Sequence, residues 1–278
     1  MHKAFDVDGP AQLEIRLASG DIEIDPTLDG RVEVELTAHD EESQRLVDET
    51  RIEQNGRQVT IDVPGRRGGF SFNIFGRNGI TCRVRCPEGS SVSARTKSAD
   101  VTARGTIGGL NVQTASGDVS ARTITGGLNV KSASGDIIAE HVGAAVNAQT
   151  ASGDVSIVSV RGPLNAQSAS GDVQIEEAYD NVNATAVSGD LSLGAVMTGE
   201  VHAQAVSGDV SIGVRRGSRV FLDCNTLSGD TSSELELTTD APAGDGPLVE
   251  IRAKTVSGDI RITRAPALVN DDAQEVHA

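Results

Sequence analysis

The chain of 278 residues has no Trp, one Tyr and five Phe, so aromatics make up only 2% of it. A core without large rings must be built from Val, Leu, Ile and Ala, which makes it thin or repetitive. Long apolar runs are missing too: no window of 18 apolar residues occurs, which excludes a membrane-spanning helix. Cysteine is limited to Cys82, Cys86 and Cys224, too few for a disulfide framework, so buried reduced thiols are expected. Lys and Arg number 24 against 40 Asp and Glu, and the resulting net charge of −16 argues against a nucleic-acid partner. The opening Met1-His2-Lys3-Ala4-Phe5-Asp6 lacks the apolar stretch of an export signal, so a cytoplasmic location is expected. His2, His39, His141, His202 and His277 share no metal-ligand spacing, and P-loop, dinucleotide and Gly-x-Ser-x-Gly motifs are absent. No metal and no cofactor is expected.

What the sequence has is a repeat. Ser-Gly-Asp begins at residues 19, 116, 134, 152, 170, 188, 207, 228 and 257, with Ser-Ala-Asp at Ser98. From Ser98 to Ser188 every interval is 18 residues; it then stretches to 19, 21 and 29. With the Ser placed at position 8 of each coil, positions 2 and 4 are aliphatic, as in Leu110 and Val112 or Val182 and Ala184. Positions 11 and 13 are aliphatic as well, as in Val155 and Ile157, and both pairs alternate with polar residues. That is strand periodicity, at least two short strands per coil. Such a unit cannot bury its apolar side alone, so coils must stack in register. The fold class expected is all-β: a single-chain β-solenoid of 18-residue coils, each coil rising about 4.8 Å and nine coils spanning about 43 Å.

The segments Gly-Leu-Asn-Val-Gln-Thr-Ala-Ser-Gly-Asp-Val-Ser (109–120) and Asn-Val-Asn-Ala-Thr-Ala-Val-Ser-Gly-Asp-Leu-Ser (181–192) resemble the bacterial β-strand-repeat family labelled "putative adhesin". The resemblance covers roughly residues 10–264. It implies a right-handed β-helix and a link, in some relatives, to cell-envelope stress systems. It implies no catalytic residues, because the family has none in common.

The organisation expected is a β-rich cap over 1–90 with a first coil, a solenoid over 91–264 and a disordered tail over 265–278. Within the cap, Asp40 reads as the N-cap of one short helix reaching about Arg51. Strands follow at 51–54 and 58–63 around the Asn55-Gly56 turn. The segment 64–79 is glycine-rich and holds Phe70, Phe72 and Phe75 flanked by Arg66, Arg67 and Arg77. It reads either as a partner-binding loop or as a plug over the solenoid end.

The repeat itself supplies the other candidates. Ser116, Gly117 and Asp118 recur as Ser134, Gly135 and Asp136; Ser152, Gly153 and Asp154; Ser170, Gly171 and Asp172; and Ser188, Gly189 and Asp190. Stacked carboxylates invite the idea of a calcium-binding, adhesin-like module, but the other half of each coil has no matching carboxylate. A structural turn ladder is preferred, with Gly taking the turn's backbone angle and Ser and Asp oxygens accepting backbone N–H groups. Outward Asn111, Asn129, Asn147, Asn165 and Asn183 form a second column, read first as a structural ladder of amides hydrogen-bonded along the rod and second as a regular face that could meet a polymer or a protein. Glu176 and Glu177, near Tyr179 and Asp180, are the carboxylates a carbohydrate-active β-helix enzyme would use, and nothing else supports catalysis. The reading is a non-catalytic binding or scaffolding solenoid whose partner is an unidentified protein or envelope component.

Overall fold

The computed structural model describes residues 1–65, 79–235 and 246–265. Among them the only helix is Glu41–Asp48; the rest of the regular structure is strand. The chain forms a β-solenoid. Each central coil is two short strands, for example Val146–Thr150 and Val155–Val160, hydrogen-bonded in parallel to their counterparts above and below. Register is kept residue for residue at the 18-residue step: Leu110, Leu128, Val146, Leu164 and Val182 form one buried row. Val119, Ile137, Val155, Val173 and Leu191 form another. Every member of both rows is at most 3% exposed. A one-residue slip would turn each row outward, so the alternation fixes the stacking.

The first two coils run as single bent strands, Gln12–Asp25 and Ser91–Ile107, paired in parallel with Asp21 opposite Asp100. Gln12–Asp25 is covered on its other side by strands Gln58–Asp62 and Ile80–Arg85. Antiparallel strands Arg31–Ala38, His2–Asp6 and Arg51–Asn55 extend this cover. The helix begins at Asp40, whose carboxylate accepts the Ser43 N–H at 2.8 Å. It stops at Asp48, a turn short of the expected Arg51, because Thr50 Oγ1 donates to the Leu46 carbonyl and the chain turns into the next strand. The N-terminal end of the stack is therefore sealed, as a solenoid requires.

The other end departs from sequence order. Strand Gly199–Ser207 pairs not with Arg219–Ser228, the next in the chain, but with Leu248–Ser257. Arg219–Ser228 then pairs with the far side of Leu248–Ser257. The last coil of the sequence is thus the penultimate coil of the stack, and the 219–233 coil is terminal. The physical reason is composition. Ile251, Ala253, Ile260 and Ile262 are fully buried in the inserted coil, whereas Thr231 and Ser233 occupy the same rows in the terminal coil and are exposed. Aliphatic residues gain most where a coil lies on each side of them.

Candidate functional site

Two columns run along the rod. In the first, each tripeptide Asp lends Oδ1 to the backbone N–H of the corresponding Asp one coil on: Asp100 to Asp118 at 2.9 Å, Asp118 to Asp136 at 3.0 Å and Asp136 to Asp154 at 2.9 Å. Asp154 serves Asp172 and Asp172 serves Asp190, both at 2.8 Å. The column then follows the exchanged coil order, Asp190 to Asp209 to Asp259 to Asp230.

The tripeptide glycines divide into two groups. Gly20, Gly208, Gly229 and Gly258 adopt positive φ, as the turn reading expects, whereas Gly117, Gly135, Gly153, Gly171 and Gly189 do not, so a special backbone angle is not the reason for these five. A Cβ at any of them would lie 2.0–2.4 Å from the carbonyl oxygen of the residue one coil below. The demand is for close approach of two backbones. Nor does the tripeptide Ser accept a turn N–H: the Gly117 N–H goes to Thr114 Oγ1 at 2.9 Å and the Gly135 N–H to Ser132 Oγ at 2.8 Å. Position 6 carries this role, and sequence reasoning missed it. Its signal was present, since Thr96, Thr114, Ser132, Thr150 and Ser168 put a small hydroxyl there in five successive coils, before Ala186 and Ala205 break the run.

The second column is the amide ladder. Nδ2 of Asn129 donates to Asn111 Oδ1, Asn147 to Asn129 and Asn165 to Asn147, each at 2.8 Å, and Asn183 donates to Asn165 at 3.0 Å. Gln149 and Gln167 add bonds to Asn147 and Asn165 at 3.3 and 3.2 Å. Each internal Asn Nδ2 uses one N–H along the rod and keeps the other for solvent or a ligand.

Beside this ladder lies an open groove of about 650 Å³. One rim is Asn111, Asn129 and Asn147; the other is the small-residue row Ser91, Gly109, Gly127 and Ala145. Between them lie Val92, Leu110, Leu128 and Val146, and the lining as a whole is mainly apolar. The small row ends at Pro163, which follows Ala145 in the stack, and at the opposite end the lining continues onto Gln12, Leu13, Glu14 and Gln58. Glu14 is the only charged residue in the lining and is paired with Arg16 at 2.6 Å. The groove is neutral and has no aromatic ring in its wall.

Other candidates resolve as follows. Arg66, Arg67, Phe70, Phe72, Phe75 and Arg77 lie outside the described residues, as do 266–278 of the expected tail. Glu177 accepts the Tyr179 hydroxyl at 3.0 Å, and Arg161 stacks 5.2 Å from the centre of that ring. Burial, and next the Glu177 hydrogen bond, hold the Tyr179 phenol above its ordinary range. Asp180 bonds its neighbour's N–H, so the structure joins Glu177 to Tyr179 and not the two carboxylates to a substrate cleft. His141 meets Ser159 Oγ at 2.9 Å and His39 meets Thr81 Oγ1 at 2.9 Å; among the described residues no group of three metal-ligating side chains forms. Cys82 and Cys86 are buried free thiols, and burial pushes them up to about 12 and about 11 respectively.

Parallel coils in register, stapled by backbone-accepting carboxylates and an amide ladder, define a solenoid protein with a groove along its side. The chain belongs to the Toastrack DUF4097 family, whose profile matches residues 11–263. Solved structures with a similar fold include a "putative adhesin" from Bacteroides fragilis NCTC 9343, at 12% identity and a TM-score of 0.41, covering 94% of this chain and 96% of that one. Another, titled a "putative lipid binding protein", comes from Parabacteroides distasonis ATCC 8503, at 18% identity and 0.43, covering 95% and 97%. A "putative cell adhesion protein" from Clostridium sporogenes ATCC 15579 is 10% identical with a TM-score of 0.26, covering 95% and 99%. No curated protein matches the sequence.

Proposed function

We propose that this chain is a non-catalytic binding solenoid, and that its groove takes an extended, uncharged peptide segment of a partner protein. The observation that carries the reading is the groove itself: neutral in a chain of charge −16, mainly apolar in its lining and edged by unused amide N–H groups along one rim. An extended peptide presents backbone donors and acceptors to such a rim and small side chains to the trough. A glycan would be expected to meet aromatic platforms, which the lining lacks. From the Leu13 coil to the Val146 coil is four steps of about 4.8 Å, or about 19 Å, enough for about six extended residues. The net charge of −16 supports a partner other than nucleic acid.

The test is selection of displayed heptapeptides on the native protein, counter-selected on Gly109→Val. A Cβ at Gly109 has no neighbour closer than 3.6 Å, so the variant folds while its side chain fills the trough. Neutral peptides that bind one per chain and lose binding on Gly109→Val support the reading. Peptides that bind both proteins equally, or a selection won by charged sequences, would refute it.

A further inference from the structure

The two ends of the rod are unlike. The N-terminal end is covered by the antiparallel strands described above, while the terminal coil pairs on one side only: Arg219–Ser228 with Leu248–Ser257, and Thr231–Ser233 with Ile260–Arg264. Among the described residues nothing pairs with its outer edge. That edge strand is also where apolar side chains point outward. Phe221 is 51% exposed and Leu227 82%, and Leu227 continues a stripe of Val187, Val206 and Val256, each close to half exposed. Bare edge and apolar side chains together are the features of a strand that pairs with another chain.

We propose that the occupant of this edge is a second copy of the same chain, joined tail to tail through antiparallel pairing of Arg219–Ser228 with itself about a two-fold axis at Cys224. Because the opposite end is sealed, such a contact closes at two copies and cannot propagate into a fibre. The register follows from the residues. Val220, Leu222, Cys224 and Thr226 point inward and Phe221, Asp223, Asn225 and Leu227 outward, so the pairing must keep like faces together. Centred on Cys224, it sets Phe221 against the partner's Leu227 twice over and Asp223 against the partner's Asn225. Centred on Asp223, it would set that carboxylate against its own copy, which is unfavourable. The favoured register also brings the two Cys224 residues face to face, at about 4.5–5.5 Å between Cα atoms, within disulfide reach. An end face one coil wide is smaller than a standard interface, and two chains of charge −16 repel, so the dimer is of modest affinity and strengthens with salt.

Sedimentation equilibrium of the full chain, at low and high salt, reads the assembly directly. The expected result is a reversible monomer–dimer equilibrium that Leu227→Glu weakens by about tenfold or more. Adding Phe221→Lys to Leu227→Glu should restore the dimer, since each new Lys faces the partner's new Glu. Under diamide, which takes up the two electrons and two protons of disulfide formation, the wild type should cross-link through Cys224, and Cys224→Ser should not. Melting curves at monomeric concentration show whether each variant folds; should Leu227→Glu fail there, Leu227→Asn replaces it. A monomer at the highest soluble concentration overturns the proposal, and so does a dimer that ignores these substitutions or cross-links without Cys224. Exchange protection of the edge-strand amides in such a monomer would mean that the edge is covered within one chain, and this too overturns the proposal.

Discussion

The sharpest consequence of the stacking concerns Gly153→Ala. An alanine Cβ at this position would lie 2.4 Å from the Gly135 carbonyl oxygen and 2.8 Å from its carbon. Ordinary contact begins near 3.4 Å, so the two coils must part by about 1 Å at this corner. Two bonds flank the contact: Asp154 N–H to Asp136 Oδ1 and Ser152 N–H to the Ala133 carbonyl, both at 2.9 Å. A further ångström takes both out of hydrogen-bonding range. Two lost bonds at about 1 kcal/mol each, with overpacking of about 1–3 kcal/mol, make a cost of about 3–5 kcal/mol. In a chain of this size that lowers the melting temperature by about 10 °C. Gly109→Ala is the control, since its Cβ would meet nothing closer than 3.6 Å, and it should be neutral or stabilising by under about 1 kcal/mol. The native sequence contains a related case. Ala99 stands in the same row, but the residue one coil below it, Gly20, adopts φ +121°. Thermal melts followed by circular dichroism decide the matter. If Gly153→Ala and Gly109→Ala melt together, close approach of the coils is not what requires glycine.

Three further outcomes are expected. In the native protein at neutral pH, a thiol reagent should label Cys224 and leave Cys82 and Cys86 unreacted, since burial holds those two at about 12 and about 11. Their protonated forms are favoured by folding, so stability holds below pH about 8.5 and falls as pH rises toward their folded values; Cys82→Ala should flatten that fall in alkaline melts. Asp154→Asn keeps an oxygen for the Asp172 N–H while removing two repulsions of about 0.9 kcal/mol or less, so it should leave stability unchanged or slightly raised. Asp154→Ala should cost about 1–2 kcal/mol, and millimolar calcium should not raise the melting temperature of the wild type by many degrees. Asn147→Leu removes one bond to Asn129 and two to its own Oδ1, from Asn165 and, more weakly, Gln149, and denaturant titration should show a loss of about 1–3 kcal/mol.

Much of this architecture was legible because an 18-residue period leaves little freedom. Once Leu110, Leu128 and Val146 recur at one step, the only arrangement that buries all of them is a stack, and the same step aligns Asn111, Asn129 and Asn147 into a ladder. The cap helix was legible for a local reason, the carboxylate of Asp40 placed three residues before the N–H it accepts. The reason for the tripeptide glycine was not legible. Spacing shows that Gly153 recurs, but whether it serves a backbone angle or a tight approach depends on how far apart two coils lie. The groove was half legible. Its amide rim follows from the outward Asn column, whereas its trough exists because Ser91, Gly109, Gly127 and Ala145 happen to align beside that column, and small residues give no periodic signal of their own.

The exchanged coil order marks where periodicity stops being sufficient. A repeat fixes which residues share a row but not which coil lies next to which, and chain order is only the default. Here the alternatives differ in energy. In the default order the 219–233 coil would be interior, putting Thr231 and Ser233 among Ile and Val with no assigned partners for their hydroxyls, at about 1–3 kcal/mol each. Ile260 and Ile262 would move to the open end and lose part of the roughly 1.5–3 kcal/mol that full burial gives each. Both terms favour the exchange. The connection from Val214 to Arg219 makes the climb of two levels, about 9.6 Å, through a turn in which the Ser218 N–H donates to the Arg215 carbonyl. The 29-residue interval between Ser228 and Ser257 supplies the return. Polarity at Thr231 and Ser233 is therefore a signal of coil order. The same choice that buries Ile260 and Ile262 puts the edge strand Arg219–Ser228, with Phe221, Cys224 and Leu227, at the outer end of the rod.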